Sequence, residues 1–342
     1  MTDTVHMTLD GIHALAVEAC RANGCSDAQA QAIADTVTAA ERDGAKSHGL
    51  FRIPFYVKAI RGSGAVADAE PVVTDLAPGV LQVDGRHGFA PLALQRGAGP
   101  LAERARGQGI AALAVRDVFH IAALWPEVER LAEQGLVALA FTGAISYVAP
   151  AGGTRPLYGT NPMAFAWPRS GRPPLVFDQA SSASARGEIQ LHLREGRPLP
   201  EGWAVGPDGE PTTDPATALE GAQLPFGGHK GAAIALMVEL LAGALIGDLF
   251  SYEAAEADTN RVGAPLGGEL ILAIDPARCV PEGERAAQLD RAEQLFARIL
   301  EQEGTRLPGA RRHAMRERTP GEGVEVARAI HDEIVGLSGG AA

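Results

Sequence analysis

Two apolar runs, "MAFAWP" beginning at Met163 and "PLVFDQA" ending at Ala180, are separated only by the turn "RSGRPP". A parallel crossover between neighbouring strands takes about a dozen residues or more. The two runs can therefore pair only as antiparallel strands, and the sheet they enter must be at least partly antiparallel. No G-x-G-x-x-G follows a strand, no G-x-S-x-G sits at a strand-to-helix elbow, and no G-x-x-x-x-G-K-[ST] or H-E-x-x-H occurs. The usual dinucleotide fingerprint, the phosphate loop, the nucleophile elbow and the zinc helix are all missing. Any nucleotide must be held by another device.

Around that hairpin the pattern alternates. Residues 8–20 and 27–43 carry apolar positions at helical spacing, with Ser26 and Asp27 as caps between them, and "PFYVKAI" opens on a proline suited to a first helical turn. "VLQVDG", "IAALAV" and "LVALAFTG" read as strands and the alanine-rich stretch 90–106 as a helix. Helices are expected again at 230–247, 282–302 and 323–337, with "ELILAIDP" as a strand and a Gly/Ala tail that frays. With 342 residues and 46% hydrophobic content, two lobes are expected. The divisions are 1–70, a helical part; 71–225, a part with a mixed sheet; and 226–342, further helices.

A formal net charge of −12 repels phosphate backbones and anionic lipid, which argues against nucleic acid and membrane partners. The apolar "AAIALMVELLAGALIGDLF" is broken by Glu239 and Asp248 and reads as a buried helix. The N-terminus has neither basic leader nor cleavage site, so a cytoplasmic location is expected. Cys20, Cys25 and Cys279 have no metal-type spacing, and no metal is expected.

Four segments gather polar residues and glycine where packing alone would not ask for them. In "SHGLFR", His48 can give or take a proton, Ser47 can relay or orient it, and Arg52 offers a planar fork for a carboxylate; the other reading is a polar joint between helices. The Gly-Thr-Asn-Pro turn presents backbone N–H groups and the Thr160 hydroxyl before a strand, suited to an oxyanion, or is an ordinary turn. Asp178, ending a strand in "VFDQASSASARGE", can accept from ribose or amide groups or cap the helix that follows, and Glu188 can face the same cleft. His229 and Lys230 follow two glycines at a helix start, where a bound phosphate would explain a cation that opposes the dipole.

Taken together, "SHGLFRIPFYV", "GTNPMAFAWP", "DQASSASARGEI", "LPEGWAVGPDGEPTTDP", "PFGGHKGAAIALMVELLAGALIG" and the late "RLPG" resemble the malate/L-lactate dehydrogenase family of non-Rossmann type over most of the chain. The resemblance implies an α/β fold, with a helical lobe and a nucleotide-binding lobe on a largely antiparallel sheet, and a homodimer. The stretch "HIAALWPEVERLAEQGLVAL" is most similar to the branch that reduces Δ1-piperideine-2-carboxylate and Δ1-pyrroline-2-carboxylate to L-pipecolate and L-proline with NADPH, NADH being the alternative. An NAD(P)-dependent 2-hydroxy-acid dehydrogenase of malate, lactate or ureidoglycolate type is the second expectation. By the same resemblance, Ser47, His48 and Glu188 are catalytic, and Arg52 and Thr160 hold the substrate. His120, Ile121, Ala122, Ala123, Leu124, Asp178, Gln179, Ala180, His229, Lys230 and Arg306 then line the cofactor. Two positions depart from the family: Val118 and Phe119 stand where Ser or Asn and then His are general, and Glu188 stands where this branch tends to have aspartate.

Overall fold

The computed structural model of the protein describes residues 3–62 and 64–339. Strand β1 (Thr4–Met7) leads into helices α1 (Leu9–Ala22) and α2 (Asp27–Arg42); two 3-10 turns, Lys46–His48 and Leu50–Arg52, then lead into α3 (Ile53–Gly62). Thr8 and Ser26 cap the first two helices by accepting from the amides of Gly11 and Gln29. The chain next forms β2 (Val72–Ala77), β3 (Val80–Phe89), α4 (Ala90–Gln108), β4 (Ile110–Phe119), α5 (Trp125–Glu133), β5 (Val137–Thr142), β6 (Met163–Trp167) and β7 (Leu175–Gln179). A small unit follows, made of α6 (Arg186–Glu195), β8 (Ala204–Val205), β9 (Pro211–Thr212), α7 (Pro215–Glu220) and β10 (Ala222–Gln223). The last part holds α8 (His229–Val238) with a π-helical turn at Glu239–Ala244, α9 (Ser251–Ala257), β11 (Leu266–Ile274), α10 (Arg285–Leu300), α11 (Ala310–Glu322), β12 (Val324–Ala327) and α12 (Arg328–Ser338).

The main sheet has the order β2-β3-β4-β11-β5-β6-β7. Only β3 and β4 run parallel, joined across α4; the other pairs are antiparallel, including the β6–β7 hairpin. Helices α4 and α5 cover one face over a core that includes Leu81, Leu101, Leu113 and Leu131. On the other face Val238 and Ala242, from α8 and its π turn, pack on Phe141 and Leu270. Helices α1, α2, α3 and α12 enclose a second core around Ile12, Ile33, Leu50 and Tyr56, into which Phe89 and Phe119 reach from the ends of β3 and β4. Among the described residues no helix is long and apolar enough to cross a membrane.

One expected helix is shorter than its sequence suggested. Residues 324–327 form β12, paired with β1, and the helix starts only at Arg328. Val324 and Val326 are buried while Glu325 and Ala327 are exposed, a period of two that belongs to a strand. Gly323, at a φ of +69°, ends α11 ahead of it. Of the Gly/Ala tail, residues 340–342 lie outside the described residues.

The helical cluster and the sheet are joined by a buried ion group. Arg316 of α11 donates from Nε to Asp43 Oδ1 at 3.0 Å, and from Nη2 to Asp43 Oδ2 and, at 2.7 Å, to Glu129 Oε2. Burial pushes the Asp43 carboxyl up, but hydrogen bonds from Arg316 and Arg42 outweigh it, so the group sits below its ordinary value. Arg316→Ala leaves Asp43, just past α2, and Glu129 of α5 facing each other without the cation that bridges them, Asp43 keeping only Arg42. A loss of about 3–5 kcal/mol is expected in denaturant titration; a loss under about 1 kcal/mol would mean the group behaves as a surface pair.

Candidate active site

The segment 44–52 is shaped by the helix before it. Glu41, buried in the last turn of α2, accepts the Leu50 amide at 2.8 Å on Oε1. A Cβ at Gly49 would lie 2.1 Å from that oxygen, so glycine is what lets the chain wrap around the carboxylate. Burial raises the proton affinity of Glu41, and the Leu50 N–H opposes it. Lys46 anchors the other side, donating from Nζ to the Glu325 carbonyl at 2.8 Å. Between these two ties, Ser47 Oγ lies 2.9 Å from His48 Nδ1, and Arg52 Nε donates to the Ser47 carbonyl at 2.7 Å. The Arg52 guanidinium rests over Phe51 and Phe55, 5.7 and 5.5 Å from the ring centroids.

His48 stands edge-on to Trp125, with ring centroids 6.4 Å apart. Burial, then the charges of Arg52 and His120, pull its pKa down to about 3. The resting imidazole is neutral at physiological pH. Burial lowers the pKa of Arg52 as well, but a guanidinium keeps its charge.

Residues His120–Leu124 run along the seam between the two cores. Ile121 belongs to the helical core, Ala123 and Leu124 to the sheet core, and Ala122 is half-buried between them. Asp178 ties this run to β7: its Oδ2 accepts from the amides of Leu124 at 2.9 Å and Trp125 at 3.2 Å. It therefore caps α5, not the helix that follows it in sequence. Burial raises its proton affinity and the two N–H groups lower it. His120 is buried, with Nε2 3.1 Å from Glu269 Oε2. Val118 and Phe119 are fully packed, one in each core.

The remaining segments meet at one place. The Thr160 carbonyl accepts from Ser181 N at 2.8 Å and Ser181 Oγ at 2.9 Å, which joins the Gly-Thr-Asn-Pro turn to the end of "DQASS". Asn161, at a φ of +38° and fully buried, donates to Glu239 Oε1 at 2.8 Å and accepts from Ser251 Oγ at 3.0 Å. Gly231, in the first turn of α8, leaves no room for a Cβ, which would lie 2.4 Å from the Phe226 carbonyl and 2.7 Å from that of Ser181. These contacts draw Thr160, Gln179, Ala180, His229 and Lys230 towards one another. No side chain caps α8, whose N-terminus follows two glycines at positive φ, and Lys230 is exposed without an ion pair among the described residues. Uncapped amides and a free ammonium are what the phosphate of a dinucleotide requires, so the residues present fit such a group. Arg306 is likewise exposed, held beside the buried Leu307.

Glu188 is placed differently. It lies on the exposed face of α6 in the small unit, 3.7 Å from His192 Nε2, and makes no contact with His48 among the described residues. The group that orients His48 within this chain is Ser47. The sequence reading also passed over Glu41, Asn161, Ser251, Glu269 and Arg312, whose guanidinium lies 5.1 Å from the Trp125 centroid. Of the residues supporting the site, Asp178 was signalled at the end of its strand and Glu239 by interrupting an apolar helix.

Comparison with known proteins bears on the same elements. The family model described as malate/L-lactate dehydrogenase matches residues 7–335. A Δ1-pyrroline-2-carboxylate/Δ1-piperideine-2-carboxylate reductase of Pseudomonas aeruginosa is 52% identical over 334 residues, covering 97% of this chain and 99% of its own. A (2R)-3-sulfolactate dehydrogenase (NADP+) of Chromohalobacter salexigens is 47% identical over 320 residues, 94% of each chain. Among solved structures, the Δ1-piperideine-2-carboxylate reductase of Pseudomonas syringae superposes with a TM-score of 0.92 at 42% identity, covering 98% of this chain and 100% of its own.

The neutral state of His48 has a measurable consequence. An unfolded histidine takes up its proton near 6.5, whereas the folded ring resists until about 3. Across that window the unfolded state binds more protons, so the stability contributed by the neutral ring is present above it and lost as pH falls through it. The melting temperature of the wild type should fall further than that of His48→Asn between about pH 7 and about pH 4. Parallel curves would show that the ring becomes charged in place at no cost.

Proposed function

The chain belongs to the malate/L-lactate dehydrogenase family, and from that premise we propose that it reduces Δ1-pyrroline-2-carboxylate and Δ1-piperideine-2-carboxylate to L-proline and L-pipecolate with NADPH. It is an oxidoreductase with a nicotinamide cofactor. The observation that carries the reading is the pairing of Arg52 with His48. Only the Nε of Arg52 is engaged in a hydrogen bond among the described residues, which leaves the rest of the fork for a carboxylate beside a neutral imidazole. The substrates named for the Pseudomonas relatives carry a carboxylate on the carbon next to the imine nitrogen.

In this reading Arg52 and the Thr160 turn clamp the carboxylate and so fix which face of the adjacent C=N bond is presented. The bound anion also offsets the Arg52 charge, which is one of the causes holding His48 neutral. Proton affinity at His48 rises when substrate arrives, and the ring can then hold a proton against the imine nitrogen. Ser47 engages Nδ1, so Nε2 is the atom that serves. Trp125 excludes water from one side of the imidazole. The nicotinamide, when bound, supplies the hydride to the imine carbon. Lys230 and the first turn of α8 would hold a phosphate, with His120–Leu124, Asp178–Ala180 and His229 along the cofactor and Arg306 as a second free cation. Two cations that are unpaired among the described residues, and the NADP+-dependent relative, support NADPH over NADH.

A second reading has its own support. The sulfolactate dehydrogenase relative is a 2-hydroxy-acid enzyme by name, and a neutral His48 is ready to take a hydroxyl proton. We read the assembly as a homodimer: Leu236, Met237, Leu240 and Leu245 of α8 and its continuation are 45%, 36%, 49% and 66% exposed, an apolar stripe facing outward. A reducing, cytoplasmic setting is the one that suits its free thiols.

The substrate class is decided by initial rates of NADPH oxidation with each cyclic imine, pyruvate and oxaloacetate at equal concentration. The imines should be turned over faster, and faster turnover of either open-chain keto acid would transfer the assignment to the second reading.

A further inference from the structure

A buried carboxylate on the central strand β11 has no role so far. The register of β11 against β4 shifts between Gly267 and Glu269, and Thr142 Oγ1 holds the irregularity by donating to the Gly268 carbonyl at 2.9 Å. A Cβ at Gly268 would lie 2.6 Å from the Ala242 carbonyl, so the bulge fits tightly beneath the π turn. The Glu269 side chain is thereby turned inward and is 0% exposed, next to the core residues Leu270 and Ile271. Packing alone would put an aliphatic residue there, since a buried carboxylate costs several kcal/mol unless it is paired.

Its partner is His120, whose Nε2 lies 3.1 Å from Oε2. The angle falls short of a formed hydrogen bond, and Nε2 and both Glu269 oxygens are otherwise sealed without partners. Two bare acceptors would repel at that distance, so one of the pair presents a proton towards the other. The other carboxyls grouped near His120 are committed elsewhere. Asp178 of β7 accepts two backbone amides. Glu127 of α5 is half-buried with its Oε2 sealed, and burial and then the Glu269 charge push its proton affinity well up. His48 is a further titratable neighbour, and it is neutral.

We propose that Glu269 is a positioning residue for His120: it holds the ring with Nε2 protonated and fixes its orientation, leaving Nδ1 for the cleft beside His48. This rests on the reading that His120 lines the cofactor. The bulge that aims Glu269 is then part of the site.

The test uses the full-length protein with 15N-labelled histidine, the His120 signals being assigned with His120→Asn. In the wild type Nε2 should be the protonated nitrogen across neutral pH. Glu269→Gln keeps an acceptor and should keep that tautomer, whereas Glu269→Ala should give averaged signals. Cofactor affinity, read by fluorescence titration, should fall about tenfold to a hundredfold in Glu269→Ala and be largely restored in Glu269→Gln. Should Glu269→Ala fail to fold, Glu269→Gln alone decides, because a changed tautomer there sinks the proposal. It is also overturned if Glu269→Ala leaves tautomer and affinity unmoved, or if Ala weakens binding equally with and without His120→Asn. None of these readouts needs an imine, so a wild type that fails to reduce imines counts against the functional reading alone.

Discussion

Asp178 Oδ2 takes the amides of Leu124 and Trp125 at the point where the chain leaves the seam and enters α5. That pair of charge-assisted bonds fixes where α5 begins, and with it the Trp125 ring that stands against His48. It also sets the path of His120–Leu124, whose side chains are divided between the two cores. The edge hairpin β6–β7 thus reaches His48 through the Asp178 carboxylate and Trp125. On the far side Arg316 does the corresponding work for α2, the helix whose end launches residues 44–52.

These joints share a physical character. The seam between the helical cluster and the sheet contains Glu41, Asp43, Asp178, Glu129 and Glu269, each fully or largely buried and each aimed at a backbone amide, an arginine or a histidine. Buried ions add little net stability compared with well-packed apolar groups, but they tolerate only one arrangement of their partners. Here that arrangement leaves Arg52 with a free fork next to an uncharged His48. In the proposed reading a carboxylate substrate completes the charge balance that the resting site lacks.

The sequence carried the sheet and the site to different depths. The "RSGRPP" link forced the β6–β7 pairing, and the helical periodicities located α1, α2 and α4, because both signals are local. Residues 324–327 were misread because a strand this short shows its period only beside β1, more than three hundred residues away in sequence. Ser47, His48, Arg52 and Lys230 stood out as polar residues beside glycine. Lys46, in the same segment, proved to be an anchor to β12. Asn161 and Glu269 could not be recognised as supports, since what gives them meaning is a partner at Glu239 or His120, far along the chain. Asp178 was singled out, but the helix it caps comes before it, which no local pattern reveals.

The central claim is that hydride goes to the carbon bearing both the imine and the carboxylate, on one face fixed by Arg52 and Thr160. Cofactor deuterated at the transferable position of the nicotinamide, followed by mass and chiral analysis of the product amino acid, addresses it directly. The account predicts one deuterium at C2 of an L-configured product. Label found elsewhere, no label, or a racemic product would contradict it.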